Sequence, residues 1–93
     1  MPRFDKTRVE VRSSVRWFSE EMEKKLRRYD YRGGWEECSP DWILARMYDE
    51  ILELIEAKNK KDWANVIEEA ADVANFAMMM ASIAQELRGE VEG

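Results

Sequence analysis

Histidine is missing from this 93-residue chain; cysteine occurs once, proline twice and glycine four times. Each shortage excludes something. Without histidine the chain lacks the commonest general base near neutral pH and the commonest metal ligand. A metal site here must be built from carboxylates, and oxygen ligands favour Mg²⁺ or Mn²⁺ over Zn²⁺. The single cysteine, Cys38, cannot close an internal disulfide. With no histidine to activate it, Cys38 reads as a free thiol near a loop and not as a nucleophile. The opening MPRFDKTRVEVR has no apolar stretch of the kind a signal peptide needs, and no segment is long and apolar enough to cross a bilayer. The expectation is a cytoplasmic protein with no membrane partner.

What is present is charge. Acidic residues outnumber basic ones by 20 to 15, giving a net charge of −5 and a sequence pI of about 4.8. An acidic surface argues against nucleic acid as a partner, and such a protein would need metal ions to handle phosphates. At 45% hydrophobic the chain is too apolar to be disordered. Its length suggests one domain over residues 1–93. Domains this small bury little core, so oligomerisation often adds to their stability.

The few turn signals divide the chain into three helical segments. The first is expected from about Asp5 to Asp30, with Val9, Val15, Phe18, Met22 and Leu26 near helical spacing. The Gly33-Gly34 pair breaks the chain. Ser39-Pro40 reads as an N-cap followed by the first helical position, opening a second helix to about Lys58. Its apolar stripe is expected to run Leu44, Met47, Ile51, Leu54 and Lys58. After a polar link, Asp62 or a neighbour caps a third helix running to about Arg88, with Gly89 ending it and a frayed EVEG tail. No run alternates with period two. The fold class is therefore all-α, a small helical bundle of three main helices per protomer.

The third helix is the unusual one. Between Ala70 and Ala84 its only polar residues are Asp72, Asn75 and Ser82. A helix apolar on every side is normally buried on every side, and three helices can hardly enclose it. A second protomer is expected to complete the bundle by dimerisation, with Met78, Met79 and Met80 shared between core and interface. Asp72 is then expensive: a buried carboxylate needs a cation, a metal or several donors, or else stays protonated. Glu69 lies three residues earlier on the same side. Two neighbouring carboxylates repel, so a salt bridge alone does not explain the pair, whereas a divalent cation would. The second helix carries a matching i, i+3 pair, Glu50 and Glu53, at the flank of its stripe, while Asp49 and Glu56 point away. Antiparallel packing of the second and third helices would let the two pairs face each other as a hard-oxygen site for Mg²⁺.

These residues resemble a known signature. Glu50-x-x-Glu53-Leu54 followed by Glu69-x-x-Asp72-Val73-Ala74-Asn75-Phe76 is similar to the ExxE…ExxD motif of the MazG-like all-α nucleoside triphosphate pyrophosphohydrolases, and Lys25-Leu26 followed by Arg32-Gly33-Gly34-Trp35 resembles a segment of its small members. The resemblance spans about residues 22–84. It implies a helical dimer or dimer of dimers that uses Mg²⁺ (Mn²⁺ as a substitute) to split a nucleoside triphosphate into monophosphate and pyrophosphate. It implies Glu50, Glu53, Glu69 and Asp72 as metal ligands, with Glu50 or Glu53 taking the proton of the attacking water. Asn75 is implied as a sugar or base contact. Lys25, Arg28 and Arg32 are positioned to hold phosphates or to form a solvated basic patch. Trp35 either stacks on a base or anchors the Gly-Gly loop, and Trp17, Trp42 and Trp63 read as packing residues. Position 49 is Asp here where members often have Glu. Phosphoribosyl-ATP or dUTP pyrophosphohydrolase activity is the alternative within the superfamily. A helical dimerisation module without catalysis is the alternative outside it.

Overall fold

The computed structural model describes residues 9–30 and 33–92, in which three helices follow one another: α1 (Ser13–Arg27), α2 (Pro40–Asn59) and α3 (Trp63–Glu92). There is no strand among the described residues, so the all-α expectation holds. α3 is the central element, with α2 packed along one side and α1 along another.

Local chemistry sets the α2–α3 hairpin. Ser39 Oγ accepts from Trp42 N at 3.1 Å, Pro40 stands at the start of the helix, and Asp41 lies in its first turn. At the other end Asp62 N donates to the Ala57 carbonyl at 3.1 Å and Lys61 N to that of Lys58 at 3.0 Å, the paired bonds of a Schellman ending. That ending puts Lys61 at φ 59°, a left-handed conformation that a side chain disfavours. Asp62 Oδ1 then accepts from Asn65 N at 3.3 Å and caps α3. The chain reverses within three residues. Glu50 therefore comes level with Glu69, and Trp42 meets Phe76 edge to face, ring centroids 6.5 Å apart.

The face that α2 turns to α3 is Ile43, Met47, Glu50, Leu54 and Ala57, of which Ile43, Glu50 and Ala57 are buried. The expected stripe is rotated from this one: Leu44 is exposed, as is Lys58, and Glu50 sits in the middle of the buried face instead of at its flank. α2 has two apolar faces. The second one, Leu44, Tyr48, Leu52 and Ile55, lies in solvent. Helical period alone does not say which of the two meets α3.

α1 docks on α3 through a ladder of polar links one turn apart. Arg28 Nη2 reaches Glu68 Oε1 at 3.2 Å, Lys25 Nζ reaches Asp72 Oδ2 at 3.2 Å, and Asn75 Nδ2 donates to the Met22 carbonyl at 3.1 Å. The falling numbers on α1 against rising ones on α3 make the pair antiparallel. α1 begins at Ser13, not near Asp5, which lies outside the described residues; residues 9–12 are not helical and Arg12 is extended. Val9 is accordingly exposed, and Val15, in the first turn of α1, is exposed as well. The β-branched VEV run has little helical preference to carry the helix further back. At the other end α3 continues through Gly89 to Glu92. A lone glycine in a helix costs about 1 kcal/mol, which weakens a helix without ending it.

The core is small. Ile43, Ala57 and Ala71 are the apolar residues fully buried among those described. Among the described side chains of α3, Ala71 and Asn75 are buried, and the three methionines are half-covered. One copy of the chain does not enclose α3.

Candidate metal centre

Where α2 and α3 run level, Glu50, Glu69 and Asp72 each present a carboxylate oxygen, all within 4.8 Å of one another. α2 supplies Glu50 from its buried face, and α3 supplies Glu69 and Asp72 from one side of a single turn. Three carboxylates this close repel unless something positive stands among them. The cations available are unevenly shared. Asp72 has Lys25. Arg46 forks from Asp49 Oδ2 at 2.9 Å to Glu50 Oε1 at 3.3 Å. Glu50 Oε2 and Glu69 Oε2 are buried with no hydrogen-bond donor.

The cost appears as protonation. The Glu50 carboxyl is pushed up to about 8, chiefly by burial, then by hydrogen bonding to Glu53 and Glu69 and by the charges of Glu53 and Asp72. Glu69 is raised as well, again first by burial. Glu53 is lowered, first by the hydrogen bond it receives from Glu50, then by that from Glu69, with help from Arg46 and Lys25. Burial thus disfavours ionisation of Glu50 and Glu69, while the exposed Glu53 keeps its charge more readily. Glu53 is not one of the three converging oxygens; it lies beside them, within hydrogen-bonding reach of Glu50 and Glu69.

Two cavities meet at this cluster. The larger, about 370 Å³, is lined by Glu50 and Asp72 together with Lys25, Trp35, Trp42 and Asn75, among others. The smaller, about 200 Å³, is lined by Glu53 and Glu69, with Glu56, Lys60 and Asn65 around them. The larger one has an aromatic wall: Trp42 and Phe76 in edge contact, with the Arg46 guanidinium 5.9 Å from the Phe76 ring centre. Trp35 Nε1 and Asn75 Oδ1 are buried at this wall without partners. Asn75 is 4% exposed, and its Nδ2 is committed to Met22, so the amide keeps an acceptor in reserve.

Of the residues expected from sequence, the structure gathers Glu50, Glu69, Asp72, Lys25, Trp35 and Asn75 around one space, with Glu53 at its edge. Arg32 lies outside the described residues. Lys25 is not part of a solvated basic patch: its side chain is 12% exposed and paired. Arg28 is exposed and tied to Glu68. Trp42 is not buried packing; it is half-exposed and lines the larger cavity, while Trp17 and Trp63 are also largely open to solvent. Sequence reasoning missed Arg46, Trp42 and Phe76. A signal for them existed: Trp42, Arg46 and Glu50 are spaced i, i+4, i+8, and Phe76 follows Asp72 by four.

The donor set fits a hard divalent cation. It offers oxygen alone, and two of those oxygens are buried and lack any donor. Asp49 and Glu56, expected to point away, are exposed and paired with Arg46 and Lys60.

A family model described as phosphoribosyl-ATP pyrophosphohydrolase matches residues 15–85. An uncharacterized protein of Archaeoglobus fulgidus is 38% identical over 68 residues, covering 68% of this chain and 73% of the relative. No solved structure matches.

Proposed function

The chain belongs to the phosphoribosyl-ATP pyrophosphohydrolase family, a branch of the all-helical nucleotide pyrophosphohydrolases, and on that premise we propose that it hydrolyses (d)NTPs to the monophosphate and pyrophosphate with Mg²⁺, clearing unwanted nucleotides from the pool. The observation that supports this most is the trio of carboxylate oxygens within 4.8 Å at the mouth of a cavity with an aromatic wall. Glu50, Glu69 and Asp72 would hold the metal, with Glu53 as a fourth ligand or its neighbour. When bound, the metal supplies charge that offsets the triphosphate and acidifies an attacking water. Mn²⁺ is a chemically reasonable substitute.

The chain's own residues divide the remaining work. Glu53 is ionised and faces water in the smaller cavity, so it takes the proton of the attacking water. Glu50 keeps its orientation through Arg46. Trp35, Trp42 and Phe76 sandwich the base, Asn75 offers its unpaired acceptor to a sugar hydroxyl or a base N–H, and Lys25 and Arg46, with Arg32, meet the phosphates. A 370 Å³ cavity lies near the low end of the roughly 300–1,000 Å³ typical of small-molecule sites. Phosphoribosyl-ATP, bulkier by a phosphorylated sugar, is the second reading, and the matching family model favours it.

A second copy of the chain covers the face of Leu44, Tyr48, Leu52 and Ile55 and the half-open methionines of α3, giving a homodimer or a dimer of dimers. No helix is long and apolar enough to cross a membrane among the described residues; the proposed setting is cytoplasmic, without nucleic acid.

The test is pyrophosphate release from a panel of NTPs, dNTPs, dUTP and phosphoribosyl-ATP, with Mg²⁺ and with EDTA. Metal-dependent pyrophosphate is expected, with one class preferred. No release from any of them, together with no effect of Mg²⁺ on the melting temperature, would reduce the chain to a helical dimerisation module.

A further inference from the structure

One rung of the α1–α3 ladder has a candidate metal ligand as its α3 partner. Lys25 Nζ stands 3.2 Å from Asp72 Oδ2, with the two side chains only 12% and 20% exposed. Asp72 is also one of the three residues whose oxygens converge. A divalent cation drawn to Glu50, Glu69 and Asp72 must therefore share Asp72 with an ammonium already there. Two cations this close in a partly desolvated site repel by an amount that matters for binding. The lysine has somewhere to go. It lines the larger cavity beside Arg46 and Asn75, and its four-carbon stem is flexible. It can also leave without undocking α1, because the rungs on either side, Arg28–Glu68 and Asn75–Met22, do not involve it.

We propose that Lys25 is the resident counter-ion of Asp72 in the metal-free protein, and that the divalent cation displaces its ammonium into the cavity to meet the substrate's phosphates. This rests on the metal-centre reading above. The lysine then plays two opposed parts. Without nucleotide it competes with the metal and weakens it. With a triphosphate present the released ammonium gains a new partner, so metal and triphosphate strengthen each other's binding by the same factor. Lys25 positions the metal's affinity; it is not itself a ligand.

The experiment is a calorimetric titration of Mn²⁺ into the full chain, wild type against Lys25→Met and Lys25→Arg, without nucleotide and then with a non-hydrolysable deoxynucleoside triphosphate analogue. Lys25→Met is expected to bind Mn²⁺ alone roughly tenfold more tightly and to lose the tightening that the analogue gives the wild type. Lys25→Arg, which keeps the cation, is expected to follow the wild type. A merely structural lysine would give the opposite: removing it would leave Mn²⁺ binding unchanged or weaken it. That result, with clear Mn²⁺ binding by the wild type, would overturn the exchange and leave the metal centre standing. No Mn²⁺ binding by wild type or variant would overturn both. Should Lys25→Met fail to fold, Lys25→Gln, which keeps a hydrogen-bond donor without the charge, carries the same test.

Discussion

α3 has two charged faces, and they are built differently. Toward α1 each carboxylate has a cation from the other helix: Glu68 has Arg28, and Asp72 has Lys25. Toward α2 the carboxylates meet other carboxylates. Glu69 has a buried oxygen without a donor, and Glu50 opposite keeps one too. The first face is held by complementary partners and needs nothing from outside. On the second, burial disfavours ionisation of Glu50 and Glu69, and on the proposed reading a divalent cation offsets their charge. A buried charge left unpaired is costly, and on the proposed reading the divalent cation meets that cost.

The contrast can be broken most strongly on the α2 side. Glu69→Gln is expected to lower Mg²⁺-dependent pyrophosphate release by at least about 100-fold while the helical circular dichroism is kept, because the side chain lost carries a buried oxygen to which nothing in the fold donates. Asp72→Asn should lose activity to the same degree, yet it should also lower the metal-free melting temperature, since Lys25 is left without its partner. Equal effects of the two on metal-free stability would erase the distinction between the faces. Glu53→Gln separates proton transfer from metal binding: kcat is expected to fall about 100-fold or more with most of the Mg²⁺-induced melting shift retained.

The aromatic wall gives a smaller and more selective effect. Trp35→Ala or Trp42→Ala should raise KM by about 5- to 150-fold, the range that loss of a base-stacking contact produces. Half-exposed Trp42 should do so with little change in stability. The pH dependence sharpens the comparison further. Glu50 titrates near 8 in the folded, metal-free protein and near the ordinary 4.5 when unfolded. The folded state therefore binds the extra proton between those values, and metal-free stability should fall as pH rises from about 4.5 to about 8. Thermal melts in EDTA across that range should show the fall in wild type and a reduced one in Glu50→Gln. The smallest effect belongs to neither face. Lys61→Gly relieves the left-handed turn between α2 and α3 and should stabilise by up to about 1 kcal/mol with activity unchanged.

Much of this was legible in the residues. Ser39-Pro40 and Asp62 mark helix starts by their capping chemistry, and both caps form. The carboxylate pairs announce themselves by spacing, and a three-residue link leaves α2 and α3 little choice but to pack back to back. Other features required three dimensions. Asp72 looked like the uncompensated charge because its partner Lys25 is 47 positions away in sequence, on another helix, and no local pattern links them. The carboxylate oxygens without a donor belong instead to Glu50 and Glu69, and the burial of Glu50 depends on which of two apolar faces of α2 meets α3. Trp42 looked like core because tryptophan usually is; its place at a cavity wall follows from that same rotation of α2.

On the proposed reading the α2-facing carboxylates bind a divalent cation. The most direct check is the melting temperature of wild type and Glu69→Gln in EDTA and in excess Mg²⁺, without nucleotide. A rise with Mg²⁺ in the wild type that is largely lost in Glu69→Gln is the predicted result. No rise in the wild type, or the same rise in both, would contradict it.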